Sequence, residues 1–204
     1  MAKRYEVRIA GIGGQGIILA GVILAEAAVS DGMNAVQTQS YGPEARGGAS
    51  RSEVIIADQD IHYPQVLEAD IMLCMSQEAC DRYSGRLRKG GLLILDADQI
   101  SRAPTTRAIR VPMTTTSVEA TGKRLSTNMI GLAILAGLTG IVSRASLEQA
   151  ICARAPRGTA DMNRKALAAG YDIAKKIKEN DGEYELIPRE PQLPSNRDWQ
   201  HPPY

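Results

Sequence analysis

The run Arg4-Tyr5-Glu6-Val7-Arg8-Ile9-Ala10, followed by Gly11-Ile12-Gly13-Gly14-Gln15-Gly16 and then Ile17-Ile18-Leu19-Ala20, constrains this chain more than any other stretch. It reads as a strand, a glycine turn and a helix start, an order that presents bare backbone N–H groups to an anion. On that pattern Gly11 makes the tight turn, Gly13 leaves room for a ligand or another chain, and Gly16 lets the helix pack closely on the strand. The bland alternative is that the glycines only permit close helix–sheet packing. Gln15 stands at the helix start, where its amide either meets a ligand or caps the turn. A dinucleotide-binding fold places an Asp or Glu roughly 20 residues further on to hold ribose hydroxyls. Here the second strand, Ala35-Val36-Gln37-Thr38-Gln39, ends without one and runs into Ser40-Tyr41-Gly42-Pro43-Glu44-Ala45-Arg46-Gly47-Gly48-Ala49-Ser50.

Strands and helices alternate along the remainder. Gln15–Ser30 is an apolar helix closed by Asp31-Gly32. Ser52–Ala57 is a third strand, and Ala69–Met75 is a continuous apolar run suited to a parallel strand buried on both faces. Gln77–Leu87 reads as a helix, Leu92–Leu95 as a strand ending at Asp96-Ala97-Asp98, and Ala108–Val111 as an edge strand. Val118–Leu125 looks helical. Thr127-Asn128 are expected to cap a buried helix over Met129–Thr139, and Ser146-x-x-Gln149 resembles a capping box. Asn163–Glu179 completes the helices. This alternation predicts an α/β fold with a doubly wound, mostly parallel, Rossmann-like sheet over residues 1–180. In such a sheet the carboxyl ends of strands one and two are neighbours, so the loop 40–50 is expected beside the glycine turn. An Arg-Gly-Gly segment there suits phosphate, through a guanidinium and amides together. The competing reading is a rigid loop in which Glu44 and Arg46 pair with each other. Residues 181–204 form a Pro-rich tail, with five prolines from Gly182 onward. The tail is either free or an arm that orders on a partner through Tyr184, Leu186, Trp199 and Tyr204.

Composition excludes several classes. The net charge is +1 over 204 residues, so no field favours nucleic acid or an anionic membrane. Without Phe and with one Trp, the chain also lacks stacking platforms for single strands. Met129–Leu138, the longest apolar run, is too short to span a bilayer. The opening residues carry no signal-peptide h-region, which points to a cytoplasmic address. Cys74, Cys80 and Cys152 are widely spaced, with no C-x-x-C pair for zinc or an iron–sulfur cluster, and read as buried thiols. His62 and His201 have no nucleophile placed against them by any pattern. Asp96 and Asp98 read as turn residues rather than catalytic ones.

The two glycine-rich motifs, with Ala69-Asp70 and Asn128-Met129-Ile130-Gly131-Leu132, resemble the gamma subunit of 2-oxoacid:ferredoxin oxidoreductases. That subunit is equivalent to the gamma domain of single-chain pyruvate:ferredoxin oxidoreductase. The resemblance runs from about Lys3 to about Lys178. It implies a non-autonomous subunit of a complex that decarboxylates a 2-oxoacid to an acyl-CoA. Alpha, beta and delta-type subunits are the implied partners, with ferredoxin or a flavin subunit as electron acceptor. Thiamine diphosphate, Mg and the [4Fe-4S] clusters are implied in those partners. This chain shows neither a cysteine framework for clusters nor a Gly-Asp-Gly…Asn pattern for the thiamine cofactor's metal. The resemblance puts coenzyme A or interface contacts at Gly11, Gly13, Gly14, Gln15, Gly16, Tyr41, Glu44, Arg46, Gly47 and Gly48, with no catalytic or metal-binding residue in the chain. The separate gamma chain favours 2-oxoglutarate or an aryl 2-oxoacid as substrate, a fold-level analogy. Two other readings stand beside it: a stand-alone NAD(P)-dependent oxidoreductase, and a non-catalytic assembly module.

Overall fold

The computed structural model describes residues 3–40, 48–104, 108–155 and 158–181. Six strands form one mixed sheet: β1 (Arg4–Ile12), β2 (Asn34–Ser40), β3 (Ala49–Ala57), β4 (Ala69–Cys74), β5 (Leu87–Asp96) and β6 (Ile109–Val111). The helices are α1 (Ile17–Ser30), α2 (Gln77–Tyr83), α3 (Met113–Thr121), α4 (Thr127–Thr139), α5 (Arg144–Arg154) and α6 (Ala160–Asp181). The spatial order is β2-β3-β1-β4-β5-β6. β1, β4, β5 and β6 run parallel, while β3 is antiparallel to both β1 and β2.

The expected adjacency of the first two strands is therefore corrected: β3 lies between them. The connection from Ser40 to Ala49 is shorter than the dozen or so residues a crossover between parallel neighbours needs, and β2 and β3 meet as antiparallel neighbours. Residues 41–47 of the intervening loop lie outside the described residues, but its stems are described. Ile12 pairs with Ala49 and Ser40 with Arg51, so both stems of the loop end at the edge of the sheet that carries the glycine turn.

The side chains of β1 alternate between two unequal layers. Val7 and Ile9 face a large cluster with α1, α4, α5 and α6, whereas Ala10 faces a smaller one with α2 residues Ala79, Cys80 and Tyr83. All six residues of β4 are buried, as its apolar run requires at the centre of a sheet covered on both faces. Small residues set the helix spacing. A Cβ on Gly170 of α6 would stand 2.5 Å from the Ala133 Cβ and 2.7 Å from the Ile130 carbonyl oxygen of α4.

Helix boundaries moved where caps differ from the expected ones. Ser143, not Ser146, caps α5, accepting from the Ser146 N–H. Asp31 at the end of α1 then receives the Ser143 N–H at 2.5 Å and the Ser143 and Ser146 hydroxyls at 2.7 and 2.5 Å. Thr127 and Asn128 lie inside α4 rather than before it. α3 begins at Met113, five residues before the expected Val118, and ends at Gly122, whose φ is +74°. α2 stops at Tyr83, and β5 begins at Leu87, ahead of the expected Leu92.

Candidate functional site at the carboxyl edge of the sheet

The glycine turn is built from both ends. Gly11 still lies in β1, and the two left-handed residues are Gly14 (φ +87°) and Gly16 (φ +68°). Gln15 fastens the turn: its Oε1 accepts the Ile12 N–H at 2.9 Å and its Nε2 donates to the Met75 carbonyl at 2.8 Å. Of its two expected roles, the side chain fills the turn-capping one and ties the turn to the end of β4. Gly16 makes its close approach to α4 rather than to the strand. The Asn128 Nδ2 donates to the Gly16 carbonyl at 3.2 Å, and a Cβ on Gly16 would stand 2.4 Å from that nitrogen. Among the described residues, its chain neighbours aside, no atom lies within 4 Å of the place a Cβ on Gly13 would occupy, which leaves this position open to an incoming group. Gly48 begins the return to β3, while Tyr41, Glu44, Arg46 and Gly47 lie outside the described residues.

Beside the turn is a cavity of about 120 Å³, lined by Gly14, Gln15, Met75, Gln99, Thr114 and Arg124, among others. Its place, beyond the carboxyl ends of β1, β4 and β5, is where open α/β sheets receive ligands. Three helices start around it, and they differ electrically. The N-terminus of α3 is already neutralised. Asp96, fully buried, accepts the Met113 and Thr114 N–H groups at 3.1 and 3.4 Å and the Thr114 hydroxyl at 2.5 Å; Asp98 accepts the Thr115 N–H at 2.6 Å. Asp96 is thus a buried cap that accepts several donors, and Asp98 an exposed cap of the same helix, the structural role expected of them. α1 and α4 have neither a side-chain cap nor an acidic residue in the first turn, so their dipoles point positive charge at the crevice. Arg124 is exposed at its mouth. A space of this size takes a phosphate group rather than a whole cosubstrate. Arg124, Gln99 and Thr114 were missed in the sequence because they sit far apart in the chain with no local pattern; only the sheet edge joins them.

The ribose-holding position of a dinucleotide site is displaced here. With β3 inserted, the end of β2 stands two strand spacings from β1, about 10 Å. The model of the pyruvate ferredoxin/flavodoxin oxidoreductase family matches residues 6–173. The chain belongs to that family. It is 45% identical over 179 residues to the 2-oxoglutarate synthase subunit KorC of Methanocaldococcus jannaschii, covering 85% of this chain and 96% of that one. Among solved structures, the gamma subunit of a keto/oxoacid ferredoxin oxidoreductase from Geobacter sulfurreducens matches with a TM-score of 0.76 and 43% identity, covering 84% of this chain and 99% of that one. The 2-oxoglutarate:ferredoxin oxidoreductase of Magnetococcus marinus, solved with 2-oxoglutarate, coenzyme A and succinyl-CoA bound, shares the fold at a TM-score of 0.77 and 22% identity, over 93% of this chain and 34% of that one.

The other chemistry-bearing groups lie away from this crevice. The Cys74 and Cys80 thiols are buried and hydrogen-bonded to each other, which with burial pushes Cys74 well above the usual thiol range. Among the described residues no group of three or more His, Cys, Asp and Glu side chains is placed to hold a metal ion. No helix among them is long and apolar enough to cross a membrane.

Proposed function

We propose that this chain is the gamma subunit of a cytoplasmic, CoA-acylating 2-oxoacid:ferredoxin oxidoreductase complex whose substrate is 2-oxoglutarate. The observation that carries the reading is the near end-to-end match to separate subunits of such enzymes, 96% of one and 99% of the other. Thiamine diphosphate with its Mg²⁺, and the [4Fe-4S] clusters, belong to the alpha, beta and delta-type sister subunits, and ferredoxin or a flavin subunit takes the electrons. This chain's own part is to receive coenzyme A. Gly13 leaves the approach open, and the N-termini of α1 and α4 supply positive potential. Arg124 supplies an exposed guanidinium for a phosphate oxygen. Tyr41, Glu44, Arg46, Gly47 and Gly48 belong to the same site, because the stems of their loop end beside the turn.

The test is the reconstituted complex assayed over several 2-oxoacids. 2-Oxoglutarate is expected to support CoA-dependent ferredoxin reduction best, and the isolated chain to oxidise nothing. Arg124→Ala and Arg46→Ala are each expected to raise the KM for CoA by about tenfold or more, the worth of one charge-assisted hydrogen bond. Decarboxylation in the absence of CoA should persist. Unchanged CoA kinetics in both variants, with the complex intact, rejects the phosphate role.

A further inference from the structure

On the α2 side of the sheet, Arg8, Arg51, Arg82 and Arg86 lie close to one another. Arg8 of β1 is 1% exposed. Its Nε donates to Glu53 Oε1 at 2.7 Å and its Nη2 to the Val66 carbonyl at 2.8 Å, while Nη1 is buried without an acceptor among the described residues. Arg51 leans on the same Glu53 oxygen at 3.4 Å, an ion contact outside hydrogen-bond geometry, and its Nε is likewise buried and unpaired among those residues. The Arg51 and Arg82 guanidiniums both stack on Tyr83, 5.3 and 5.6 Å from the ring centre. Arg86 follows in the 3-10 turn Ser84–Arg86. Burial is the main cause that holds the Arg8 guanidinium below its ordinary range; Glu53 opposes the shift, and Arg51 and Arg86 add to it. Of the two carboxylates of α2, Glu78 is engaged by the Ala49 N–H at 3.0 Å and Asp81 by Arg102 at 3.3 Å.

Two guanidiniums thus stack on one aromatic ring, two share Glu53, and Arg51 belongs to both pairs. Left in water, the exposed members repel one another; covered by a surface of opposite sign they become attractive. Stacked arginine on tyrosine is also the composition enriched at the centres of protein interfaces. We propose that Arg51 and Arg82, stacked on Tyr83, together with Arg86 in the following turn, form the docking surface for a carboxylate-rich segment of a sister subunit. This rests on the reading that the chain works inside a multi-subunit enzyme.

The test uses the complex with the exposed pair reversed, Arg82→Glu with Arg86→Glu, and a neutral companion, Arg82→Gln with Arg86→Gln. The dissociation constant of this chain from its sister subunits is measured at 0.15 and 0.5 M salt. At 0.15 M the reversed variant is expected to bind about a hundredfold more weakly, with the neutral pair between it and the unmodified chain. The gap should narrow at 0.5 M, where screening weakens the unmodified contact. An unchanged melting temperature of the variant chain excludes misfolding as the cause. Equal affinity of all three chains overturns the proposal. So does normal assembly with a raised KM for CoA, which assigns the face to cosubstrate phosphates. Loss of self-association alone, with sister binding kept, overturns it in favour of a second copy. If the unmodified chain binds no sister subunit, this proposal and the multi-subunit reading fail together, an outcome separate from the others.

Discussion

Replacing the glycines of the turn one at a time by alanine separates backbone strain, side-chain crowding and ligand access. Gly16→Ala combines two costs. A left-handed alanine costs roughly 1–2 kcal/mol. Its Cβ, 2.4 Å from the Asn128 Nδ2, also drives that amide off the Gly16 carbonyl, about 1 kcal/mol more. The sum, about 2–3 kcal/mol, lowers Tm by about 4–12 °C for a chain of this size. Gly14→Ala pays only for the backbone, since its φ is +87° and nothing lies within 4 Å of the new atom. Gly13→Ala meets neither penalty and should change stability by no more than about 0.5 kcal/mol. Thermal melts followed by far-UV circular dichroism give this ranking, and CoA kinetics of the assembled complex give the second readout. Gly13→Ala should raise the KM for CoA while leaving Tm alone. Asn128→Ala combined with Gly16→Ala should cost about 1 kcal/mol less than the sum of the single changes, because both remove one hydrogen bond. A Gly13→Ala chain as unstable as Gly16→Ala, or strict additivity in the double variant, refutes the geometry argued for the turn.

Three further outcomes are expected. Gly170→Ala should destabilise by about 1–2 kcal/mol despite alanine's better helix propensity, since the added methyl meets the Ala133 Cβ and the Ile130 backbone; chemical denaturation measures it. Hydrogen bonds from Ser143 and Ser146 hold the Asp31 carboxyl below its ordinary range, against the opposing and larger single effect of burial. A depressed folded value means that the stabilisation is present above the unfolded pKa of about 3.9 and is lost as pH falls through the folded one. Asp31→Ala should therefore lower Tm by about 3 °C near neutrality, with the difference from the unmodified chain closing below about pH 4. Because Cys74 and Cys80 are buried and Cys152 is partly exposed, a thiol reagent should modify Cys152 first in the folded chain, with the other two reacting only on unfolding; mass spectrometry of the labelled peptides decides it.

What the sequence makes legible is whatever rests on local chemistry. The glycine run between an apolar strand and an apolar helix places the turn correctly, and the uninterrupted run at Ala69–Cys74 marks the strand at the centre of the sheet. Direction and neighbour order are less legible, since side-chain alternation is the same in parallel and antiparallel strands. One signal for the reversal of β3 was present nonetheless: no helical period lies between Ser40 and Ala49, and parallel neighbours need a crossover of a dozen or more residues. Arg8 shows the harder case. A charged residue reads as solvent-facing, and only the register that sets it opposite Glu53 explains its burial. Arg124 carries no pattern at all, and its place at the crevice follows from where α4 docks against the turn.

The reversed strand has a consequence for how this enzyme class can diversify. Because the connection between β2 and β3 starts and ends at stems pinned by the Ile12–Ala49 and Ser40–Arg51 pairs, it can lengthen, shorten or change its chemistry without shifting the glycine turn. Loop closure grows only slowly more costly with length, so such changes are thermodynamically mild. Selection can thus vary that connection while the turn tied by Gln15 to the end of β4 stays fixed.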